Sequence, residues 1–290
     1  MTHSNNQWIL TLSCEDKAGI VADVAGLFRD KGFNIRESSQ FEDLFSKHFF
    51  MRTEFDYLGG DSLVDEDELR RTFGRVADQY GMSWSLVNKA WRPKVVIAVS
   101  KWGHCLNTLL NSWRSGSLPV DVVAVVSNHR DMESLAVWHK LPYHHLPVTG
   151  DNKASQEQAL RQLLSDYQCD LLVLARYMQI LSDDFCGELV GKAINIHHSF
   201  LPGFKGAKPY HQAYERGVKL IGATAHYVTA DLDEGPIIEQ AVERVSHVNL
   251  PEEMVEKGRD IEAVVLQRAV RWHAEHRVLL NGNKTVVFNR

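Results

Sequence analysis

Short runs of β-branched and aliphatic residues alternate with helical segments from residue 94 onward. The runs are Val95–Ser100, Val120–Ser127, Leu171–Ala175 and Ala193–His197, and the spacing predicts helices at about 103–115, 132–140 and 154–168. Strands that are separated by helices indicate a mostly parallel sheet with helices on both faces. In such sheets the site forms at the carboxyl ends of the strands. We therefore expect a Rossmann-like α/β domain with its site at that edge.

The first 88 residues follow a different order of elements. Strands are predicted at Gln7–Ser13, Phe33–Phe41, His48–Asp56 and Ser83–Asn88, and helices at about 20–31 and 64–80. The order βαββαβ in about 85 residues is the ferredoxin-like arrangement. Ala90–Pro93 then forms the predicted hinge, because proline restrains the residue before it. The expected division is a domain at 1–89, a linker at 90–93 and a second domain at 94–290.

Charge and cysteine content exclude several classes of protein. A formal net charge of -5 without a basic run argues against a general nucleic-acid binder. The N-terminus lacks the features of a signal peptide, and no apolar run approaches the roughly 20 residues that span a bilayer. The four cysteines form no CxxC pair, which is typical of reduced thiols. We expect a cytoplasmic protein with no nucleic-acid or membrane partner.

Asn195, His197 and Asp233 are candidate catalytic residues, although an Asn-x-His pair on a strand is more often structural. Asn195 and His197 are two residues apart in a predicted strand, so their side chains leave the same face. Asp233 follows in a turn-rich segment before the apolar Pro236–Ile238. An amide donor can polarise a carbonyl oxygen, while an imidazole and a carboxylate can move protons. The three residues together supply the groups that chemistry at a carbonyl carbon needs.

The N-terminal part resembles an ACT regulatory domain. The resemblance rests on Ser13–Phe28, which reads SCEDKAGIVADVAGLF, and on the following Gly32–Ile35. It implies a small-molecule site, commonly for an amino acid, formed by Asp16, Lys17, Ala18, Gly19 and Ile20. A free helix N-terminus offers N–H groups to a carboxylate, which agrees with this interpretation. The other interpretation is that Gly19 only permits close packing and that the domain assembles a homo-oligomer through sheet edges.

The second part is similar to the folate-dependent formyltransferase fold family over about residues 94–280. Three segments carry the similarity: Ile194–Pro202 (INIHHSFLP), Gly222–Pro236 (GATAHYVTADLDEGP) and Leu174–Leu181 (LARYMQIL). The resemblance implies that Asn195, His197 and Asp233 form a catalytic triad. It also implies a folate pocket that is bordered by Arg176, Met178, Gln179, Ile180 and Leu181.

One departure from that family distinguishes the activities. Members that formylate an amino-ribonucleotide carry a small-residue loop after the first strand, where backbone amides hold the phosphate. Here Ser100–Leu106 reads SKWGHCL, and only Gly103 fits that pattern. This loop, the preceding ACT-like part, Phe204–Ala213 and Asn281–Phe288 together resemble the formyltetrahydrofolate deformylase family. The resemblance implies hydrolysis of 10-formyltetrahydrofolate to tetrahydrofolate and formate, which balances one-carbon folate pools and supplies formate for purine synthesis.

Two other functions remain open at this stage. One is a folate-dependent formyltransferase whose amine acceptor is not glycinamide ribonucleotide, and the other is an amino-acid-binding regulator on an inactive enzyme domain.

No permanently bound cofactor is expected, and no metal site is expected either. The spacing of metal ligands is absent from the histidines at His197, His198, His211 and His226. Lys205 and Lys208 either lie in a solvated loop or contact the glutamate tail of folate.

Overall fold

The computed structural model describes residues 6–59, 64–203 and 209–289. Lys205 and Lys208 lie outside the described residues, so their role stays a prediction. The chain divides into two compact units. The first contains Met1–Trp91, Glu275–Leu279 and Val286–Arg290, and the second contains Arg92–Ala274 and Leu280–Thr285. The predicted domain limits at 1–89, 90–93 and 94–290 stay a prediction. In the structural division, the last residues of the chain alternate between the two units.

The first unit has the predicted βαββαβ order. Its elements are β1 (Gln7–Glu15), α1 (Ile20–Asp30), β2 (Phe33–Asp43), β3 (His48–Tyr57), α2 (Glu66–Tyr80) and β4 (Ser83–Asn88). The sheet order is β2-β3-β1-β4, and all neighbouring strands are antiparallel. The ferredoxin-like prediction is therefore confirmed.

Side chains on one face of each helix cover this sheet. The Asp65 side chain accepts a hydrogen bond from the Glu68 N–H at 3.0 Å and caps α2, and Gly81 in the left-handed conformation ends the helix. Leu69 and Phe73 of α2 are buried, as is Phe28 of α1. Helical spacing of apolar residues thus produces the two-layer core that the sequence indicates.

The C-terminal segment is bound to the first unit by buried charges. The Arg52 side chain is 2% exposed, and its Nε and Nη2 donate to the Glu275 carbonyl at 3.2 and 3.1 Å. Arg277 Nη1 donates to Glu37 Oε1 at 3.0 Å and to the Phe288 carbonyl at 2.8 Å. Because a buried charge is costly without partners, these bonds hold the segment against the sheet.

The second unit contains the predicted α/β sheet. Its elements are β5 (Lys94–Val99), α3 (His104–Arg114), β6 (Asp121–Ser127), α4 (Glu133–Trp138), β7 (Tyr143–His145), α5 (Lys153–Asp166), β8 (Leu171–Leu174), α6 (Asp183–Glu188), β9 (Ala193–His197), α7 (Pro209–Glu215), β10 (Leu220–Tyr227), β11 (Ile237–Arg244) and α8 (Pro251–Ala274). The strands β12 (Val278–Asn281) and β13 (Lys284–Val287) form a two-stranded sheet at the end of the chain. Among the described helices, none is long and apolar enough to cross a bilayer.

Within the described residues, seven strands form the central sheet in the order β11-β10-β9-β8-β5-β6-β7. The strands from β9 to β7 in this order are parallel, whereas β10 and β11 run antiparallel to their neighbours. The mostly parallel sheet is thus confirmed. The carboxyl ends of β5, β8 and β9 lie together at one edge, and the following loops meet there.

Candidate active site

Strand β9 presents Asn195 and His197 on one face at its carboxyl end, as the alternation of side chains predicts. Its neighbours are β8 on one side and antiparallel β10 on the other. In the second pairing, Thr224 lies opposite His197 and His226 lies opposite Asn195. His197 is 4% exposed and Asn195 is partly buried. Both side chains are therefore held by a rigid, paired strand.

Asp233 reaches the same face from the loop between β10 and β11. Its backbone has a φ of 59°, which is uncommon for a residue other than glycine. Asp233 Oδ2 lies 3.2 Å from His197 Nδ1, and Oδ1 lies 3.8 Å from His226 Nε2. The structure thus brings all three predicted catalytic residues together.

The electrostatic environment keeps Asp233 ionised. Burial acts to raise the pKa of this carboxyl, but the neighbouring His197 and His226 rings outweigh burial and hold the pKa well below its usual range. The His197 Nε2 atom is buried and has no hydrogen-bond partner among the described residues. With Nδ1 directed at Asp233, this nitrogen is available to a bound molecule.

His226 lies beside both Asn195 and Asp233. The Asn195 Nδ2 atom lies 3.2 Å from His226 Nε2, and His226 Nδ1 lies 2.8 Å from the Tyr227 carbonyl oxygen. A ring that donates from Nδ1 to this carbonyl can accept at Nε2 from the Asn195 amide. His226 therefore fixes the orientation of that amide.

The segment that was predicted to border a folate pocket lines the same cavity as these residues. The cavity measures about 300 Å³, and its walls include Arg176, Tyr177, Met178, Gln179, Ile180 and Leu181 together with Asn195, His197 and Asp233. Met178 and Ile180 are each more than half exposed. The pocket therefore combines an apolar rim with a polar floor, which is typical of small-molecule sites.

Ser100 holds the backbone of this segment in place. Its hydroxyl donates to Asn128 Oδ1 at 2.7 Å and accepts from the Met178 N–H at 3.0 Å. The Ser100 N–H also donates to the Arg176 carbonyl at 3.2 Å. Arg176 itself has a φ of 63°. These bonds orient the segment after β8 toward the carboxyl end of β9.

A buried polar cluster that the sequence analysis missed lies beside the cavity. Glu262 of α8 is 1% exposed, forms hydrogen bonds with His104 and Tyr210, and forms an ion pair with Arg176. Cys105 also contributes a ligand atom to a His104–Cys105–Glu262 group within 4.8 Å, a spacing that could hold a metal ion. The Arg176 guanidinium already supplies positive charge to Glu262, which argues against a second cation there. The signal for this cluster in the sequence is Glu262 itself, a charged residue on the apolar face of a helix.

The predicted effector residues form an exposed loop and a helix start in the first unit. Asp16, Lys17, Ala18 and Gly19 are exposed, whereas Ile20 is buried. Gly19 has a φ of 101° and would bring an added Cβ to 3.0 Å from the Tyr80 hydroxyl oxygen. That hydroxyl donates to Asp23 Oδ2 at 2.6 Å in the first turn of α1. Gly19 therefore has a conformational role, and effector binding stays a prediction.

Family models match both parts of the chain. The model described as "Formyl transferase" matches residues 93–270, and the model described as "ACT domain" matches residues 8–55.

Individual relatives match most or nearly all of the chain. A formyltetrahydrofolate deformylase of Corynebacterium sp. (strain P-1) is 50% identical over 280 residues, which cover 96% of this chain and 97% of that protein. The crystal structure of a formyltetrahydrofolate deformylase from Burkholderia mallei is 51% identical, has a TM-score of 0.93, and covers 98% of this chain and 100% of its own. A glycinamide ribonucleotide transformylase from Symbiobacterium toebii is 29% identical with a TM-score of 0.65, and the match covers 68% of this chain and 95% of that one.

Proposed function

The chain belongs to the formyltetrahydrofolate deformylase family, and we propose that Asn195, His197 and Asp233 are the residues with which it hydrolyses 10-formyltetrahydrofolate. The observation that carries this assignment is their convergence on one cavity, where His197 Nδ1 lies 3.2 Å from Asp233 Oδ2 and Nε2 is unpaired among the described residues. The relatives from Corynebacterium and Burkholderia mallei, which match over nearly the full length of the chain, are deformylases, so a transferase is not favoured.

The reaction breaks the amide-like C–N bond between the formyl carbon and a folate nitrogen. Water adds to the formyl carbon, forms a C–O bond and loses a proton, and the carbonyl oxygen becomes an oxyanion. The tetrahedral intermediate then collapses, the C–N bond breaks, and the nitrogen takes a proton. The products are formate and tetrahydrofolate. Catalysis therefore needs a donor for the oxyanion and groups that move protons.

Asn195 and His197 are suited to stabilise the oxyanion. The Asn195 amide is oriented by His226, and a protonated His197 ring that donates to Asp233 from Nδ1 presents Nε2–H to the cavity. Both donors are fixed before the substrate arrives, because β9 is paired on both sides. Preorganised donors in a partly buried site stabilise developing charge more than water does.

Asp233 is suited to hold the imidazolium and to accept the proton of the attacking water, directly or through ordered solvent. Its pKa lies well below the usual range, for the reasons given above, so the carboxylate form is present at physiological pH. The position of Asp233 depends on the loop between β10 and β11.

The pterin and the formyl group would lie along the segment after β8. We assign this binding role to Arg176, Met178, Gln179, Ile180 and Leu181, which line the cavity. Exposed backbone groups of such a segment can bond a heterocycle, while apolar side chains pack against its ring. No permanently bound cofactor enters this proposal, because the folate is the substrate.

Incubation of the purified protein with 10-formyltetrahydrofolate, with and without added amines, tests the proposal. We expect formate and tetrahydrofolate to form at the same rate in both samples. Turnover that requires an amine would identify a transferase, and absence of turnover in both samples would identify a regulatory protein. Either result would contradict the proposed hydrolysis.

Gly235→Ala is expected to destabilise the fold by about 1–3 kcal/mol and to lower turnover. A Cβ at Gly235 would collide with the Tyr227 carbonyl oxygen and approach His226 Nδ1, so the loop that carries Asp233 must move. Denaturant unfolding and formate release measure the two effects. Gly187→Ala is the matched control, since a Cβ there meets no atom within 4 Å. Equal behaviour of the two variants would contradict the prediction.

The first unit is proposed to bind an amino-acid effector or to join copies of the chain. The edge position of β2 in its sheet and the exposed Phe41, Leu44 and Phe45 support self-association.

All four cysteines are free, which supports a reducing, cytoplasmic location. In that setting the reaction would balance one-carbon folate pools and provide formate for purine synthesis.

A further inference from the structure

The segment between β8 and α6 borders the proposed folate pocket, although it belongs to no helix or strand. Within the described part of the chain, no hydrogen bond is formed by the N–H groups of Gln179, Ile180 and Leu181. An irregular segment has no ladder of backbone bonds that keeps its shape, and ordering it costs conformational entropy. The conformation of this segment therefore depends on the contacts on either side of its three unpaired N–H groups.

Helix α5 holds the far end of the segment through a buried carboxylate. Glu157 Oε1 accepts a hydrogen bond from the Ser182 N–H at 2.7 Å, and Glu157 Oε2 accepts one from the Ser182 hydroxyl at 2.5 Å. Glu157 is 7% exposed. Because two oxygens of one carboxylate bind one residue, they fix its orientation as well as its position.

The burial of this carboxylate has a cost that an apolar side chain would not have. Leu160 and Leu163, which α5 also buries, pack in the apolar core. A buried carboxylate is stable only when its oxygens are bonded. Among the described residues, both hydrogen bonds of Glu157 go to Ser182. The contact therefore stabilises the carboxylate, and the carboxylate in turn holds Ser182.

The preceding residue of α5 holds the start of the segment. Gln156 Nε2 donates to the Tyr177 hydroxyl at 2.8 Å, and both residues are buried. Burial raises the pKa of Tyr177, so the phenol is neutral and can accept from the amide. The Met178 N–H donates to Ser100 in the same region. The segment is thus bound on both sides of the three unpaired N–H groups.

We propose that Glu157 is a positioning residue for folate binding, which holds the segment after β8 in the conformation that presents its three unpaired N–H groups to the heterocycle of the substrate. Glu157 is not part of the cavity wall, so it acts through Ser182. The inference rests on the proposed function, because it takes the folate as the ligand of the cavity. Loss of Glu157 should weaken binding and leave the chemical steps unchanged.

Glu157→Met tests this inference, with tetrahydrofolate as the probe. Methionine has a similar length but offers Ser182 no charged acceptor, so the segment is no longer fixed. If the binding conformation is then populated about a tenth of the time, the Kd for tetrahydrofolate rises about tenfold. The KM for 10-formyltetrahydrofolate should rise by a similar factor, while kcat stays within about threefold of the wild-type value. Calorimetric titration and steady-state rates measure the two effects.

Leu163→Ala is the control for a purely structural effect. Leu163 is buried on the same helix, so its truncation should lower the Tm of the protein. It does not contact the substrate cavity wall, and Kd and KM should stay near their wild-type values. A wild-type Kd in folded Glu157→Met, or an equal rise in Kd in Leu163→Ala, would show that the inference is wrong.

Glu157→Asp decides the matter if Glu157→Met does not fold. The charge stays, but the shorter side chain cannot reach both donors of Ser182, so Kd should rise by about 3- to 10-fold. An unchanged Kd would overturn the inference, as would a wild-type protein that does not bind tetrahydrofolate. Binding needs no turnover, so a wild-type protein that binds tetrahydrofolate but releases no formate would contradict the proposed hydrolysis alone.

Discussion

Asp233→Asn is expected to lower kcat for formate release by about 10²- to 10⁴-fold while the protein remains folded. Asparagine has nearly the same size as aspartate, so the loop between β10 and β11 can keep its shape. It cannot accept the proton of the attacking water, and it carries no charge to hold a protonated His197 ring. The 3.2 Å contact between His197 Nδ1 and Asp233 Oδ2 would therefore lose its electrostatic contribution.

The experiment compares steady-state formate release with thermal unfolding of the same preparations. Asp231→Asn is the matched control, because Asp231 is exposed in the same loop. It removes the same charge two residues away and should retain wild-type kcat. A kcat near the wild-type value in Asp233→Asn would remove Asp233 from the mechanism.

Asn195→Ala is expected to lower kcat by about 10²- to 10³-fold with little change in KM. The amide donates to an oxygen that becomes negative only as water adds, so its loss affects the transition state more than substrate binding. The substitution also removes the 3.2 Å contact between Asn195 Nδ2 and His226 Nε2. Rates at saturating and limiting 10-formyltetrahydrofolate separate the two parameters.

Asn107→Ala provides the comparison for this substitution. Asn107 is exposed on α3, and its replacement should change neither parameter. A rise in KM with unchanged kcat in Asn195→Ala would show that the amide binds the substrate without stabilising the oxyanion. The proposed role of Asn195 would then be wrong.

Elements that depend on local periodicity could be predicted from the sequence. The βαββαβ order of the first unit and the parallel core of the second follow from apolar spacing along single elements. Asn195 and His197 could also be predicted to share a face, since alternation in a strand is a local property. The contact between Asp233 and His197 could be predicted only from the family resemblance. It depends on how a loop folds back over 36 residues, which local periodicity does not determine.

Other parts of the site depend on register and on distant contacts. The pairing of His226 with Asn195 requires that β10 run antiparallel to β9 in one register, which alternation alone does not determine. Glu262 reaches His104 across 158 residues of sequence. The partners of Glu262 depend on how α8 packs. The helical pattern of the sequence indicates only on which face of α8 Glu262 lies. Contacts of Arg52 and Arg277 with the C-terminal segment are of the same long-range kind.

Asn195, His197 and Asp233 are assigned to the addition of water and to the collapse of the tetrahedral intermediate. Substitutions of these three residues should therefore lower kcat for formate release.

The central claim is that water attacks the formyl carbon, and hydrolysis in ¹⁸O-labelled water tests it most directly. The wild-type protein is incubated with 10-formyltetrahydrofolate and no amine, and the formate is analysed by mass spectrometry. We expect formate that carries one ¹⁸O atom, produced together with an equal amount of tetrahydrofolate, and almost no formate from Asp233→Asn. Unlabelled formate would contradict this claim.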